Sequence, residues 1–512
     1  MSRRARAAAT RAPVTHARPA EPASAGSLLP ARTAWFDPRA PYLLPLVILL
    51  LSRAFAAWAL PTASEDAFIT FRYARSFAGG HGLVYNPGEH VMGFTSPLWT
   101  LWMALGIRLV HDPVPWSRFW AATADVITLL LTTAALERYV SRASAWCFAM
   151  FFAGWFYFSA VSVSGMENSV VLALIVLSAA LAEKRHLLAG PALAALALSR
   201  PEGFAAALFL ALGASWRDRL IAAILVAPAL IALQSYFGSI VPQSLIAKAQ
   251  IYGTPGPVAG RLWWEWLVPV TMGRPPSTLE GIHLFLASVV FAPAAVLGAR
   301  TLWRLRSTRL GRATAALLLI WLAYSLFGVT YFWWYLVVPL AGVATLIAAG
   351  VPQILKGVAL YVSLAVFLSG MWLGVLPLYR GRAQTEIRDF GGAADWLAAH
   401  AKAGQKVMLE PIGIVGWSCP LRVVDEVGLV SPAVAKRRLQ GAGWFTDTVE
   451  REKPDWLVVR RRELEEIEGF AGAGAPFRNV GERDSLLMKY EKATVIAQSP
   501  GPFELWILER RP

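Results

Sequence analysis

The sequence predicts a polytopic α-helical membrane protein, with about eleven transmembrane helices and a C-terminal extracytoplasmic α/β domain. Three observations carry this. Of the 512 residues, 56% are hydrophobic and only 16% charged, and mean hydropathy is +0.48; an ordinary soluble domain has roughly 45–50% apolar and about 25% charged residues. Apolar stretches recur from residue 41 to residue 377. Beyond residue 378 the pattern changes to short β-rich runs that alternate with polar helical stretches. Disordered chains, coiled coils and small disulfide scaffolds are excluded by this composition.

The elements follow in order. Residues 1–40 are rich in Arg, Ala and Pro and read as a disordered cytoplasmic tail. The apolar run 41–60 is too long, and begins too late, for a cleaved signal, so it is the first transmembrane helix. It opens a membrane domain over 41–378, whose first outer loop is 61–116. Further apolar stretches lie at 97–110, 117–137, 143–163, 168–182, 187–199, 203–214, 220–236, 282–300, 313–330, 334–350 and 354–377.

A span needs about 20 residues. The stretch 97–110 is shorter and contains Arg108, so it either spans or lies on the membrane. Charge decides between these. If it does not span, Arg138, Arg142, Lys184, Arg185, Arg217 and Arg219 join the basic tail on the cytoplasmic side. So do Arg300, Arg304, Arg306, Arg309, Arg312 and Lys356. If it spans, all of them move outside, against the positive-inside rule. The stretch is therefore expected to be juxtamembrane, and almost every polar oddity of the membrane half then falls on the outer face.

The final region, 379–512, is expected to be a small α/β domain, with strands near 406–409, 421–424, 455–459, 485–489 and 504–508 and a helix over 393–400. It carries 20 basic and 19 acidic residues, so nearly all of the net charge of +15 resides in the membrane part and the tail. Anionic lipid, not nucleic acid, is the partner this distribution implies. Cys147 and Cys419 lie in an apolar segment and a polar one, and no Cys/His cluster suggests a metal.

The chemistry-bearing residues concentrate in the first outer loop. Thr62 and Glu65 have capping-box spacing, which gives Glu65 a structural task. Asp66 has no such task; it is placed to take a proton from a hydroxyl, although a helix N-terminus favours any acid. Arg72 and Arg75 share one polar side of the same helix. They could fork a lipid phosphate or simply snorkel to headgroups. Other outer-face features are Gly165-Met166-Glu167, Arg200-Pro201-Glu202-Gly203, the stretch from Phe237 to Lys248, and Trp333-Trp334-Tyr335. Arg200 and Glu202 could form a surface pair, and the aromatics an interfacial belt. Arg53 and Asp125 lie inside spans and remain unassigned.

The run Glu65-Asp66-Ala67-Phe68-Ile69-Thr70-Phe71-Arg72-Tyr73-Ala74-Arg75 closely resembles the first periplasmic loop of a GT-C glycosyltransferase group, as do Gly80-His81-Gly82-Leu83-Val84-Tyr85-Asn86-Pro87-Gly88-Glu89 and Gly93-Phe94-Thr95-Ser96-Pro97-Leu98-Trp99. That group includes the terminal β-arabinofuranosyltransferases of cell-wall arabinan synthesis. The elements at 165–167, 200–203, 238–248 and 334–335 recur in the same order, as do Ile412-Gly413 and 424–430. The likeness covers nearly the whole chain after the tail and is specific for the group, not for one sugar. Two departures bear on specificity: Glu65 stands where many relatives have a second Asp, and Met92 where an acid is common.

The resemblance implies a multi-pass protein of the bacterial inner (plasma) membrane, with a cytoplasmic N-terminus and a periplasmic or extracellular C-terminal domain. It implies inverting transfer of a sugar, arabinofuranose being the group's example, from a polyprenyl-phosphate donor to a glycan or lipid acceptor. Asp66 would be the base, with Glu65 beside it. Arg72, Arg75, Arg200 and Lys248 would hold the donor phosphate. Tyr73, His81, Glu167, Glu202, Trp334 and Tyr335 would face substrate. A divalent cation on Glu65 and Asp66 is a further reading of the adjacent acids. The rival from another class is a lipid-linked sugar flippase without transfer activity.

Overall fold

The computed structural model describes residues 41–251, 278–326, 332–465, 474–496 and 504–512. The expected tail, 1–40, lies outside them, as does part of the outer stretch 237–281. Each expected apolar stretch carries helix. The first is α1 (Leu43–Ala59), followed by α2 (Glu65–Ala78), α3 (Pro97–Val110) and α4 (Pro113–Tyr139). Proline opens both α3 and α4, where its missing N–H costs nothing. Helices α5 (Arg142–Gly154) and α6 (Phe156–Ser162) follow one another with a bend of 55°. Then come α7 (Asn168–Glu183), α8 (Ala189–Ala197), α9 (Pro201–Ala211), α10 (Trp216–Phe237) and α11 (Gln243–Ile251). The membrane half ends with α12 (Thr278–Arg304), α13 (Arg309–Leu326), α14 (Val337–Ile354) and α15 (Val358–Thr385).

By length and composition alone, four described helices can cross a membrane, or five with the bent pair. The 14 residues of α3 extend about 21 Å, short of a hydrocarbon core of roughly 30 Å. Its Arg108 donates to Ala78 O at 2.6 Å and so ties it to the end of α2.

Two arginines, Arg53 buried and Arg118 half-buried, hold the bundle where helices end. Arg53 pairs with Asp125 at 2.9 Å and also donates to Ala153 O at 2.9 Å and Phe152 O at 3.3 Å. Those carbonyls are freed by the α5–α6 break, and inside a membrane they must find a partner within the protein. The Arg53–Asp125 pair is therefore explained by packing. Arg118 donates to Leu60 O at 2.6 Å and Val163 O at 3.0 Å, clamping the ends of α1 and α6. Helices α12 and α14 cross at small residues: a Cβ on Gly298 would overlap Leu346 O, and one on Gly350 would overlap Ala294 O.

Helix α15 passes through a π-helical turn (Glu386–Gly391) into α16 (Gly392–His400) and the C-terminal domain. Its elements are β1 (Lys406–Leu409), α17 (Gly413–Ser418), β2 (Arg422–Asp425), α18 (Pro432–Arg438), α19 (Trp444–Glu452) and β3 (Trp456–Arg460), then α20 (Arg461–Glu465), α21 (Val480–Leu487), β4 (Tyr490–Ile496) and β5 (Leu505–Arg510). The sheet order is β2-β1-β3-β5-β4. Strand β1 is parallel to both neighbours; β5 is antiparallel to both of its own.

The strand expected at 485–489 is a correction. Asn479 accepts the Glu482 N–H at 2.9 Å and starts α21, so Leu486 packs from a helix and the strand begins at Tyr490. The polar cap, seven residues before the leucines are reached, outweighs their β propensity.

The sheet's side chains alternate between two cores, as a period of two requires. Met408, Val424, Leu457 and Leu508 face the outer helices. Val407, Leu409, Val423 and Ile507 share a core with Ile69, Tyr73, Tyr85 and Phe94 of the first outer loop. Loop and domain thus fold as one unit. The side-chain amide of Asn86 pairs with β2, accepting from Val423 N at 3.0 Å and donating to Val423 O at 2.8 Å, and so covers the edge strand.

Candidate active site

Four helices begin around one cleft of about 430 Å³ that opens to solvent: α2 after Ser64, α3 after Ser96, α7 after Glu167 and α9 after Arg200. Helix N-termini present unpaired N–H groups and the positive end of the backbone dipole, so their convergence favours an anionic ligand. Asp66, in the first turn of α2, lines the cleft together with Lys248 of α11, Glu167, Arg200, Trp334 and Tyr335. Leu429 enters from the C-terminal domain.

Asp66 Oδ2 accepts a hydrogen bond from Lys248 Nζ at 3.2 Å, and both side chains keep about a fifth of their surface exposed (21% and 18%). The ammonium also lies 4.2 Å from the centre of the Phe332 ring. Burial works against the Lys248 charge, but the Asp66 carboxylate outweighs it and holds the pKa above the ordinary lysine value. Arg200 is buried and committed on two sides: Nη1 donates to Glu167 and Nε to Glu202. Tyr324 donates to Glu202 Oε1 at 2.6 Å, and the Tyr335 ring lies 5.1 Å from the guanidinium. Glu202 thus reaches the cleft through Arg200, which lines it.

The expected residues divide sharply. Asp66, Glu167, Arg200, Lys248, Trp334 and Tyr335 converge on the cleft. Glu65 does not. The helix is capped by Ser64 without a side-chain bond, so the expected Thr62–Glu65 capping box does not form. Instead Glu65 Oε1 accepts the N–H groups of Gly413 and Ile414, the latter at 3.2 Å, and so anchors α17. Burial, with Asp66, Glu386 and Glu410 nearby, pushes its pKa well above the usual carboxylate range.

Arg72 is likewise a correction. It donates to Tyr85 O at 2.9 Å, Gly416 O at 2.6 Å, Leu421 O at 2.8 Å and Asn86 Oδ1 at 3.3 Å, all away from the cleft. It staples the C-terminal domain to the loop and has no edge left for a phosphate. Arg75 is exposed and stacks on Trp417 at 4.3 Å. Tyr73 is fully buried; its hydroxyl donates to Val91 O at 2.6 Å and accepts from Gly93 N at 2.9 Å, shaping the strand of chain that leads into the cleft. His81 is exposed in the turn after α2, outside the cleft lining. Helical direction explains these: only the start of α2 faces the cleft, while its later turns carry the C-terminal domain.

Ser244 and Thr70 also line the cleft. Ser244 Oγ and Trp334 Nε1 are buried with no hydrogen-bond partner among the described residues. The signal was available, because Thr70 lies four residues from Asp66 and Ser244 four from Lys248, each pair on one helix face. A metal does not fit: the carboxylates of Glu65 and Asp66 diverge, and no group of three or more His, Cys, Asp or Glu side chains among the described residues could hold an ion.

Residues 378–506 match a family model described as "Domain of unknown function (DUF8728)". Comparison with curated proteins gives no match. Among solved structures the chain is similar to ArnT from Cupriavidus metallidurans bound to undecaprenyl phosphate, with a TM-score of 0.56 and 11% identity over 93% of this chain and 98% of that one. The apo state of the same protein gives 0.57 and 11% over 91% and 97%. An oligosaccharyltransferase of Archaeoglobus fulgidus tethered with an acceptor peptide gives 0.51 and 12% over 92% and 74%. The chain therefore shares the fold of ArnT and of this oligosaccharyltransferase.

Proposed function

We propose that the protein is an inverting glycosyltransferase that moves a sugar from a polyprenyl-phosphate donor to a glycan or lipid acceptor at the outer face of the inner membrane. The observation that carries this is the cleft, where one carboxylate, Asp66, meets Lys248, Arg200 and four helix N-termini. The neighbour bound to undecaprenyl phosphate supports a polyprenyl phosphate as the lipid. Arabinofuranose as the sugar rests on the first-loop resemblance.

Asp66 takes the acceptor hydroxyl proton as that oxygen attacks the anomeric carbon; the bond from that carbon to the phosphate oxygen breaks on the opposite face. The phosphate leaves as a stable anion, so what the site must supply is positive charge rather than a strong acid. Lys248, Arg200 and the helix ends supply it, with Ser244 and Trp334 as further donors. Leu429 makes the C-terminal domain part of the cleft wall, where an acceptor would rest.

A flippase would need polar side chains along a path between the two faces. The buried pair Arg53–Asp125 is instead used up on the α5–α6 break. The test uses purified protein in detergent with polyprenyl-phosphate arabinofuranose or mannose and short arabinan or lipid acceptors, read by mass spectrometry. A glycosylated acceptor with released polyprenyl phosphate is expected. No product with either donor, together with donor translocation in vesicles, would establish the flippase.

A further inference from the structure

The contact between Asp66 and Lys248 depends on where α11 sits, and the membrane helix before it gives little support. Almost none of the apolar length of α10 is buried within the protein. Its outer end is tied to the first loop by Tyr236, whose hydroxyl accepts the Leu83 N–H at 3.1 Å. Gly238 then turns the chain at a φ of +74°, and α11 begins only at Gln243.

Gln243 fixes the start of α11 twice over. Its backbone N–H, of the kind that a helix start leaves without an internal partner, donates to Met92 O at 2.8 Å. Its side-chain amide donates to Gly428 O at 3.0 Å. The two acceptors belong to segments that touch each other. A Cβ on Gly93 would stand 2.6 Å from Val430 Cγ1 and 3.1 Å from Leu429 O, so the first loop and the turn after β2 meet closely there. Gly428 has a φ of +88°, and a Cβ on it would stand 2.6 Å from Ala435 Cβ, which seats the turn on α18. One residue thus ties α11 to both sides of this junction. Ala247, fully buried with Met92, Phe94, Val427 and Val430 in one core, packs at the same place.

Lys248 follows Gln243 by five residues, about 7.5 Å along the helix axis. A tilt or slide of α11 therefore moves the ammonium, and its 3.2 Å contact with Asp66 is already at the long end of a hydrogen bond. Misplacing a reacting group by about 1 Å, even from far away, can cost on the order of 10²-fold in rate. Gln243 itself lies outside the cleft lining.

We propose that Gln243 is a positioning residue for the transfer reaction: its side-chain amide clasps the turn after β2, so that α11 holds Lys248 against Asp66. This rests on the cleft reaction proposed above. Through one amide and one carbonyl, the C-terminal domain then sets the geometry of the Asp66–Lys248 pair as well as supplying Leu429 to the wall.

Two substitutions remove the clasp. Gln243→Met keeps the side-chain length and the backbone N–H but cannot donate to Gly428, and Gln243→Asn stays polar but is one carbon too short. Steady-state kinetics in detergent, with the polyprenyl-phosphate sugar that gives product, should show kcat lowered about five- to tenfold in both, the scale of one lost hydrogen bond. In a Lys248→Met background the same changes should cost nothing further, because Gln243 acts through that lysine. Equal losses in the two backgrounds would make the contact merely structural and overturn the proposal, as would an unchanged kcat in either variant. A second measurement needs no activity. Spin labels on Gln250→Cys and Lys402→Cys, exposed positions of α11 and the C-terminal domain, should give one narrow distance distribution that broadens in Gln243→Met. If the unaltered protein forms no product, the proposed reaction fails and the labels alone decide. A distribution that Gln243→Met leaves unchanged overturns the clasp, whether or not the protein transfers sugar.

Discussion

At the residue scale the two adjacent acids of α2 separate into different tasks. Asp66 keeps an open side toward the cleft, while Glu65 is buried under α17. Asp66→Asn preserves shape and should still bind donor, but turnover should fall about 10²–10⁴-fold, as loss of a general base predicts. Glu65→Gln should keep most activity, since an amide oxygen can accept both the Gly413 and Ile414 N–H groups and the site already favours a neutral side chain. Donor binding and single-turnover rates of the two variants check this; near-normal turnover in Asp66→Asn would remove it as the base. Arg72→Ala should act on stability instead. Loss of four buried donations should lower the melting temperature in detergent and leave the donor KM of the folded fraction unchanged. A raised KM at unchanged stability would return Arg72 to the phosphate. The difference between Arg72 and Arg200 was not legible in sequence, because both are arginines beside a helix start or on its polar side. What separates them is the partner: backbone carbonyls of residues 416 and 421 for one, carboxylates for the other. Those partners come from hundreds of residues away or from another helix.

At the element scale, hydropathy marked nearly every helix of the membrane half, because that signal is local. The turn after β2 was legible only as a motif. Asp425 organises it, accepting from Val427 N at 2.8 Å and Val430 N at 3.0 Å, and the turn carries Leu429 into the cleft. Burial raises the Asp425 pKa from 3.8 to about 6. The folded protein therefore binds a proton that the unfolded chain has released between about pH 4 and 6. This group's contribution is fully present below about pH 4 and is lost as pH rises through 6, a change of roughly 3 kcal/mol. Asp425→Asn lacks that dependence, although it costs the Val430 N–H its acceptor at every pH. Melting in detergent at pH 4.5 and 7.5 should show the unaltered protein gaining on the variant at the lower pH. A difference that does not change with pH would mean that the carboxyl titrates normally.

At the scale of the whole molecule, one orientation unites the features that local reading cannot join. The cleft, the first loop and the C-terminal sheet lie at one end of the bundle, with a shared core that includes Tyr73, Phe94, Val407 and Ile507. Arg309, Arg138 and Lys184 lie at the other. No sequence pattern announces that shared core, because its two halves are more than 300 residues apart and each alternates like an ordinary amphipathic surface. The charge asymmetry predicts which end faces in, since basic clusters favour the cytoplasmic side. Single cysteines can decide it. The native Cys147 and Cys419 are both buried and give little background. Lys402→Cys and Arg306→Cys place thiols at exposed positions beyond α16 and between α12 and α13. In intact cells an impermeant maleimide should label the first and not the second, which should react only after permeabilisation. The reverse pattern would put the cleft on the cytoplasmic side, where an outward-facing acceptor could not reach Asp66, and would overturn the proposed reaction.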